Sequence, residues 1–314
     1  MVPPSLTWRS RLALLVLLLA LAALLAWRLA TPGEAAVPVA PGLQQSSAAP
    51  AGIALAGEDE LLAAMAGPDW VVRRWRDYPA VLVIQFPELA AQGRALNRIA
   101  ALMEKGHASR ERVLDDAQLQ ALVAASGDSV ASFFFGHDYP SEGLARFFSL
   151  VLAQGITLNA EEQQLLDVLQ QADLIARRPD GIGYVSTGVG ALVSFSAPQA
   201  DDPATPADEG MDAARRASVL RHELSHGRYF TDETYREHCL RFWHEALSEP
   251  ERRAWRHYLA DLGYDRSNEE LMANETQALL MHTPDARDFN AASMGLTEQA
   301  LFSQRLRFRQ RAGG

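Results

Sequence analysis

Cysteine is almost absent: Cys239 is the one such residue in 314. No intramolecular disulfide can form, and a metal site built on thiolates is excluded. Cys239 sits beside Leu240 in a helical pattern, as a small core residue does. Surplus positive charge is also missing. The formal net charge is −10, which argues against a nucleic-acid partner, because such surfaces carry a basic stripe. The alternating Arg305, Arg307, Arg309 and Arg311 read as a solvated C-terminal end. There is no internal repeat. Charge nearly disappears from residues 31–57, which are rich in Ala, Pro, Gly, Ser and Gln and read as a flexible linker.

One long apolar run is present, and it lies at the start. Residues 12–27 are dominated by Leu and Ala, preceded by Arg9 and Arg11 and interrupted by Arg28. A basic start followed by an apolar stretch is the layout of a secretory signal. Neither Ala30 nor Ala36 ends a clear small-residue cleavage site, so residues 1–30 read as an uncleaved signal anchor, with a cleaved signal peptide as the alternative. With the arginines held inside, the rest of the chain is exported. It is then tethered to the membrane, periplasmic or extracytoplasmic, or else secreted.

Residues 58–314 read as the folded domain, with a possible sub-boundary in the acidic, Pro-bearing loop at 198–210. The run at 80–86 is a strand buried on both faces. Residues 59–66, 88–105, 115–125, 141–152 and 159–175 read as helices, and 129–135, with Phe133, Phe134 and Phe135 in a row, is ambiguous. Residues 183–186 and 191–196 flank Gly188 and Gly190 and give a hairpin signal. After residue 210 the pattern turns helical: 211–230, then a helix capped by Thr231 running to about 247, one started by Ser248 and ended by Gly263, and one from Ser267 to about 281. The fold class is α+β, with a small sheet in the first half and a mostly helical C-terminal half.

The helix at 211–230 contains His222-Glu223-Leu224-Ser225-His226. Two imidazoles one helical turn apart share a face and can hold one tetrahedral Zn²⁺. Glu223, next to the first of them, can take a proton from a water on that ion, as a general base does. A catalytic zinc needs a third protein ligand and leaves one position open. Glu270 and Glu275 lie on the helix at 267–281. Ser267 and Glu270 have capping-box spacing, which would turn Glu270 back onto the helix start. Glu275 stands between Met272 and Leu279, where an unpaired carboxylate is costly. It is the favoured ligand, with Glu270 as the alternative.

The two helices resemble those of gluzincin-type zinc metallopeptidases. The resemblance covers His222-Glu-x-x-His226 and the later Asn274-Glu275-x-x-Ala278, roughly the C-terminal third, while Glu270-x-x-Ala-Asn274 resembles a related arrangement. It implies that His222, His226 and Glu275 bind zinc, that Glu223 is the base, and that a sheet edge, with 191–196 as candidate, holds extended peptide or protein substrate. Metzincin-type peptidases place their third ligand where Asp232 stands, but here Tyr229 occupies the position of the glycine that lets the chain turn. No Gly-Ala-Met-Glu-Asn segment of the aminopeptidase kind is present. Tyr229, Tyr264 and His282 are candidates for stabilising the oxyanion. His107, His137, His238, His244 and His257 read as ordinary surface or packed histidines. The competing expectation is a non-enzymatic envelope interaction protein with a structural or vestigial metal site. Substrate and oligomeric state are not written in these residues.

Overall fold

The structure, a computed structural model, describes residues 52–64, 67–105, 110–205 and 208–311. The apolar run at 12–27, most of the linker and His107 lie outside them. Among the described residues no helix is long and apolar enough to cross a membrane.

The first half runs β1 (Leu55–Ala56), α1 (Glu58–Ala63), β2 (Val71–Trp75), β3 (Val81–Phe86), α2 (Leu89–Met103), α3 (Asp116–Ala125), β4 (His137–Pro140), α4 (Ser141–Gln154), α5 (Ala160–Gln171), β5 (Ile175–Arg177), β6 (Tyr184–Ser186) and β7 (Ala191–Ser196). The second half is helical: α6 (Ala213–Thr231), α7 (Glu233–Arg241) flowing into a π-helical turn (Phe242–Ala246), α8 (Glu249–Asp261), α9 (Glu269–His282), a 3₁₀ turn (Ala291–Met294) and α10 (Glu298–Arg311). This is an α+β arrangement with its small mixed sheet early in the chain.

The sheet order is β1-β2-β3-β7-β4. β3 and β7 are parallel and central, and every residue of each is buried, which explains their near-continuous apolar character. Alternate residues serve two layers. Leu82, Ile84, Phe86 and Leu192 pack against α2, α4 and α5. Val81, Val83, Val193 and Phe195 face α6 through Val219, Leu220 and Leu224. Gly227 brings α6 close to the sheet: a Cβ there would stand 2.8 Å from Val81 Cγ1 and 3.2 Å from Val193 Cγ1. The C-terminal helices have a core of their own around Trp243, Trp255, Met272 and Leu280, to which Tyr229 at the end of α6 belongs.

Several expectations are corrected. Residues 183–186 and 191–196 do not form a hairpin: β6 pairs with β5 in a separate sheet, while β7 joins β3 and β4. Strand β7 is therefore interior, and β4, antiparallel to it, is the edge. The helix begun at Asn159 stops at Gln171, and β5 follows. Leu55–Ala56, placed in the linker, pair with β2, and Ala56 is buried. Asp232 rather than Thr231 caps α7. The arginine-rich end is a docked helix, where Arg305 donates to Leu280 O at 2.7 Å and Arg307 to Ala246 O at 2.7 Å. The loop after β7 is closed at its base by a Gln199–Met211 bridge.

Candidate metal centre

Helix α6 starts at Asp212, whose carboxylate accepts from Arg215 N at 2.9 Å. Its apolar residues face the sheet, and the adjacent face meets α9. There Gln277 donates to Ser225 Oγ at 3.1 Å and accepts from the Tyr235 hydroxyl at 2.6 Å, fixing α9 against α6 and α7. In this packing His222, His226 and Glu275 meet. The two Nε2 atoms are 3.0 Å apart. Glu275 lies 3.8 Å from each, through Oε2 to His222 and Oε1 to His226. Zinc–ligand bonds of about 2.1 Å give ligand–ligand separations of roughly 3.4 Å in a tetrahedron, so small side-chain shifts suffice.

The histidine tautomer supports the same geometry. The Thr283 hydroxyl donates to Ala278 O at 3.1 Å and lies 2.8 Å from His222 Nδ1. Having spent its one proton on the carbonyl, it accepts from Nδ1–H, leaving the His222 Nε2 lone pair directed at His226 and Glu275. Burial pushes the His222 pKa well below its usual value, with His226 and His282 adding to the effect. Burial also takes His226 down to about 4, against the Asn274 side chain, which raises it. Both rings are neutral near pH 7, the state a metal requires.

Glu223 is buried and lies close to His226. Its carboxylate lies over Gly136, where a Cβ would stand 2.2 Å from Oε1. Beside it, on the edge strand, is Asp138, with Oδ2 3.7 Å from His226 Nε2. Asp138, Glu223 and His226 form a second group spaced closely enough to contact an ion. Burial raises the Asp138, Glu223 and Glu275 carboxyls far above the usual range. Each is raised further by its acidic neighbours, Glu104 included, and Tyr264 opposes this at Glu275 by hydrogen bonding. Burial lifts Glu104 itself to about 7, against Lys105 and the Tyr139 hydroxyl. Oε2 of Glu223 and Oε2 of Glu275 are buried without hydrogen-bond partners. Buried, unpaired, mutually repelling carboxylates beside a free imidazole lone pair are what a divalent cation would neutralise, and the donors fit zinc.

The other candidates fall elsewhere. Glu270 is more than half exposed and pairs with Arg236 at 2.6 Å. The capping box with Ser267 does not form: Asn268 caps α9, and Ser267 binds Asp265 instead. Asp232 accepts from Tyr235 N, Arg228 and the Tyr78 hydroxyl. Tyr229 is buried beside Arg236 and Glu270, and His282 lies 3.1 Å from the Tyr235 hydroxyl, so Tyr264 is the aromatic candidate that reaches Glu275. His137 is buried 2.9 Å from the Tyr139 hydroxyl, and His257 is exposed.

Sequence reading missed Asp138 and Gly136. Strand β4 has four residues, holds an aspartate and ends in proline, so it lacks a strand signature. A cleft of about 700 Å³ opens onto His222 and Glu223 and is walled by Phe133, Phe134 and Phe135, the run that had no clear assignment. No family model matches the chain, and no match to it was found among curated proteins or solved structures.

Proposed function

We propose that this protein is a zinc-dependent hydrolase, best read as a peptidase, exported and tethered to the membrane through residues 1–30. One observation carries the reading: two imidazole Nε2 atoms and the Glu275 carboxylate converge, with the Glu223 carboxylate adjacent and a cleft opening onto it. Bound by His222, His226 and Glu275, zinc would supply Lewis acidity and lower the pKa of a water to about 7.

The chain's own groups divide the remaining work. Glu223, held over Gly136, accepts the proton of the attacking water and returns it to the leaving amine. β4, the end strand of the sheet among the described residues, replaces β7 as the strand that would take an extended peptide. Tyr264 stands at the cleft wall, close enough to Glu275 to lower its affinity for a proton.

Asp138 favours a second reading. A carboxylate 3.7 Å from His226 Nε2 could shield the ion and leave the protein a non-enzymatic envelope component with a structural metal. Metal content and single-turnover peptide cleavage, compared for the unmodified protein and Glu223→Gln, separate the two. Loss of cleavage with zinc retained supports the peptidase. Zinc in both, with no cleavage of any peptide in a diverse library, overturns it.

A further inference from the structure

Lys105 is the one lysine in the chain. It follows α2 and is 9 % exposed, yet it lines the cleft that reaches His222 and Glu223. Its ammonium stands 4.4 Å from the ring centroids of both Phe133 and Phe134. Gly263 passes close beside it, and the Lys105 backbone bridges to Tyr264, the aromatic residue near Glu275. Aromatic faces and one carbonyl therefore hold the charge in place at the cleft wall.

Among the described residues this ammonium has no paired anion. A lysine offers three N–H donors, and among the described residues one is used, toward Leu262 O at 3.3 Å. Glu104 and Asp128 act on it only through space, and no described carboxylate forms an ion pair with it. The other cations of the cleft are committed. Arg215 pairs with Asp208 and Asp288, and Arg287 with Asp212 and Asp285. A buried, unpaired cation is costly unless something completes it.

We propose that Lys105 is a specificity-determining residue that binds a carboxylate of the peptide substrate, either its terminal carboxylate or an acidic side chain. The chemistry favours a monoanion. Glu223, Asp128, Asp261 and Asp288 line the same cleft, so a dianion such as phosphate would meet stronger repulsion than one ammonium offsets. The apolar walls suit the flanking peptide, and the aromatic pair keeps the ammonium pre-oriented. The proposal rests on the peptidase reading for its substrate class, and its test can fail separately.

Because there is a single lysine, acetic anhydride reports on it specifically: in a digest its peptide is distinct from that of the α-amino group. The zinc-loaded full-length Glu223→Gln protein is acetylated in the presence of N-acetylated alanine tetrapeptides ending in a free carboxylate or in an amide. A second pair of amide-ended tetrapeptides carries Glu or Gln at the third position. The expected result is acetylation of Lys105 slowed about tenfold or more by one acidic peptide and unchanged by its neutral partner, and the pair that responds identifies the source of the carboxylate. In parallel, Lys105→Met should weaken binding of that acidic peptide about tenfold while sparing the neutral one, and Lys105→Arg should recover part of the loss. If Lys105→Met fails to fold, the acetylation result decides alone. Equal acetylation with acidic and neutral peptides overturns the proposal. Acid-dependent protection without cleavage by the unmodified protein would sustain the carboxylate site and remove the peptidase reading. Cleavage with no acid preference would do the reverse.

Discussion

The carboxylates around the two histidines show how one chemistry takes different roles according to its contacts. Glu275 and Glu270 sit on the same helix, yet one is buried at 2 % exposure against both imidazoles and the other pairs with Arg236 at the surface. Glu275→Ala should abolish stoichiometric zinc binding, read by elemental analysis after dialysis. Glu270→Ala should keep the metal and cost no more than about 1 kcal/mol in urea denaturation, as exposed ion pairs do. Gly136 makes a sharper case. A methyl there would occupy the place of the Glu223 carboxylate, whose atoms are its three nearest neighbours. Gly136→Ala should therefore retain zinc and lose peptide cleavage by about a hundredfold or more, the scale on which general-base catalysis is lost. Loss of zinc instead would show that Gly136 supports the ligands themselves. Glu275 was legible in the sequence because an acid among Met272, Leu279 and Leu280 needs a reason to be there. Gly136 and Asp138 were not, because their significance arises only when β4 is laid beside β7 and under α6.

At the scale of elements, helices were read well and strand pairing poorly. The capping residues Asn159 and Ser248 act as their sequences suggest, each with a glutamate completing a capping box. Strand partners are set by long-range contacts, and the local Gly188–Gly190 turn signal pointed to a hairpin that tertiary packing overrides. β2 escaped because arginines occupy two of its five positions, although Arg74 is buried and donates to Pro79 O at 2.7 Å. The approach of α6 to the sheet is likewise invisible in a helical pattern. Gly227→Ala would press a methyl into Val81 and Val193, and it should lower stability by about 1–3 kcal/mol, as overpacking does. The urea midpoint measures the cost, and an unchanged midpoint would mean that the helix moves away freely.

At the scale of the whole molecule, the folded part begins earlier than composition suggests. Leu55 and Ala56 are already paired with β2, so the linker ends before them. Limited proteolysis of the full-length protein should cut first between residues 31 and 51 and leave a stable fragment that includes Leu55. A first cut at 198–210, where Gln199 and Met211 bridge, would instead mark that loop as the weakest point of the fold.

The proposed ligands also come from two separate hydrophobic cores. His222 and His226 ride on the helix that packs against the sheet, while Glu275 rides on α9, among the residues gathered around Trp243 and Trp255. An ion held by all three would act as a rivet between two bodies that could otherwise open independently, so it would set the cooperativity of unfolding as well as the chemistry. Hydrogen exchange makes this visible. Chelation should speed exchange in α8, α9 and α10 by at least about tenfold while β3 and β7 stay protected, and restoring zinc should bring the two halves back into a single transition.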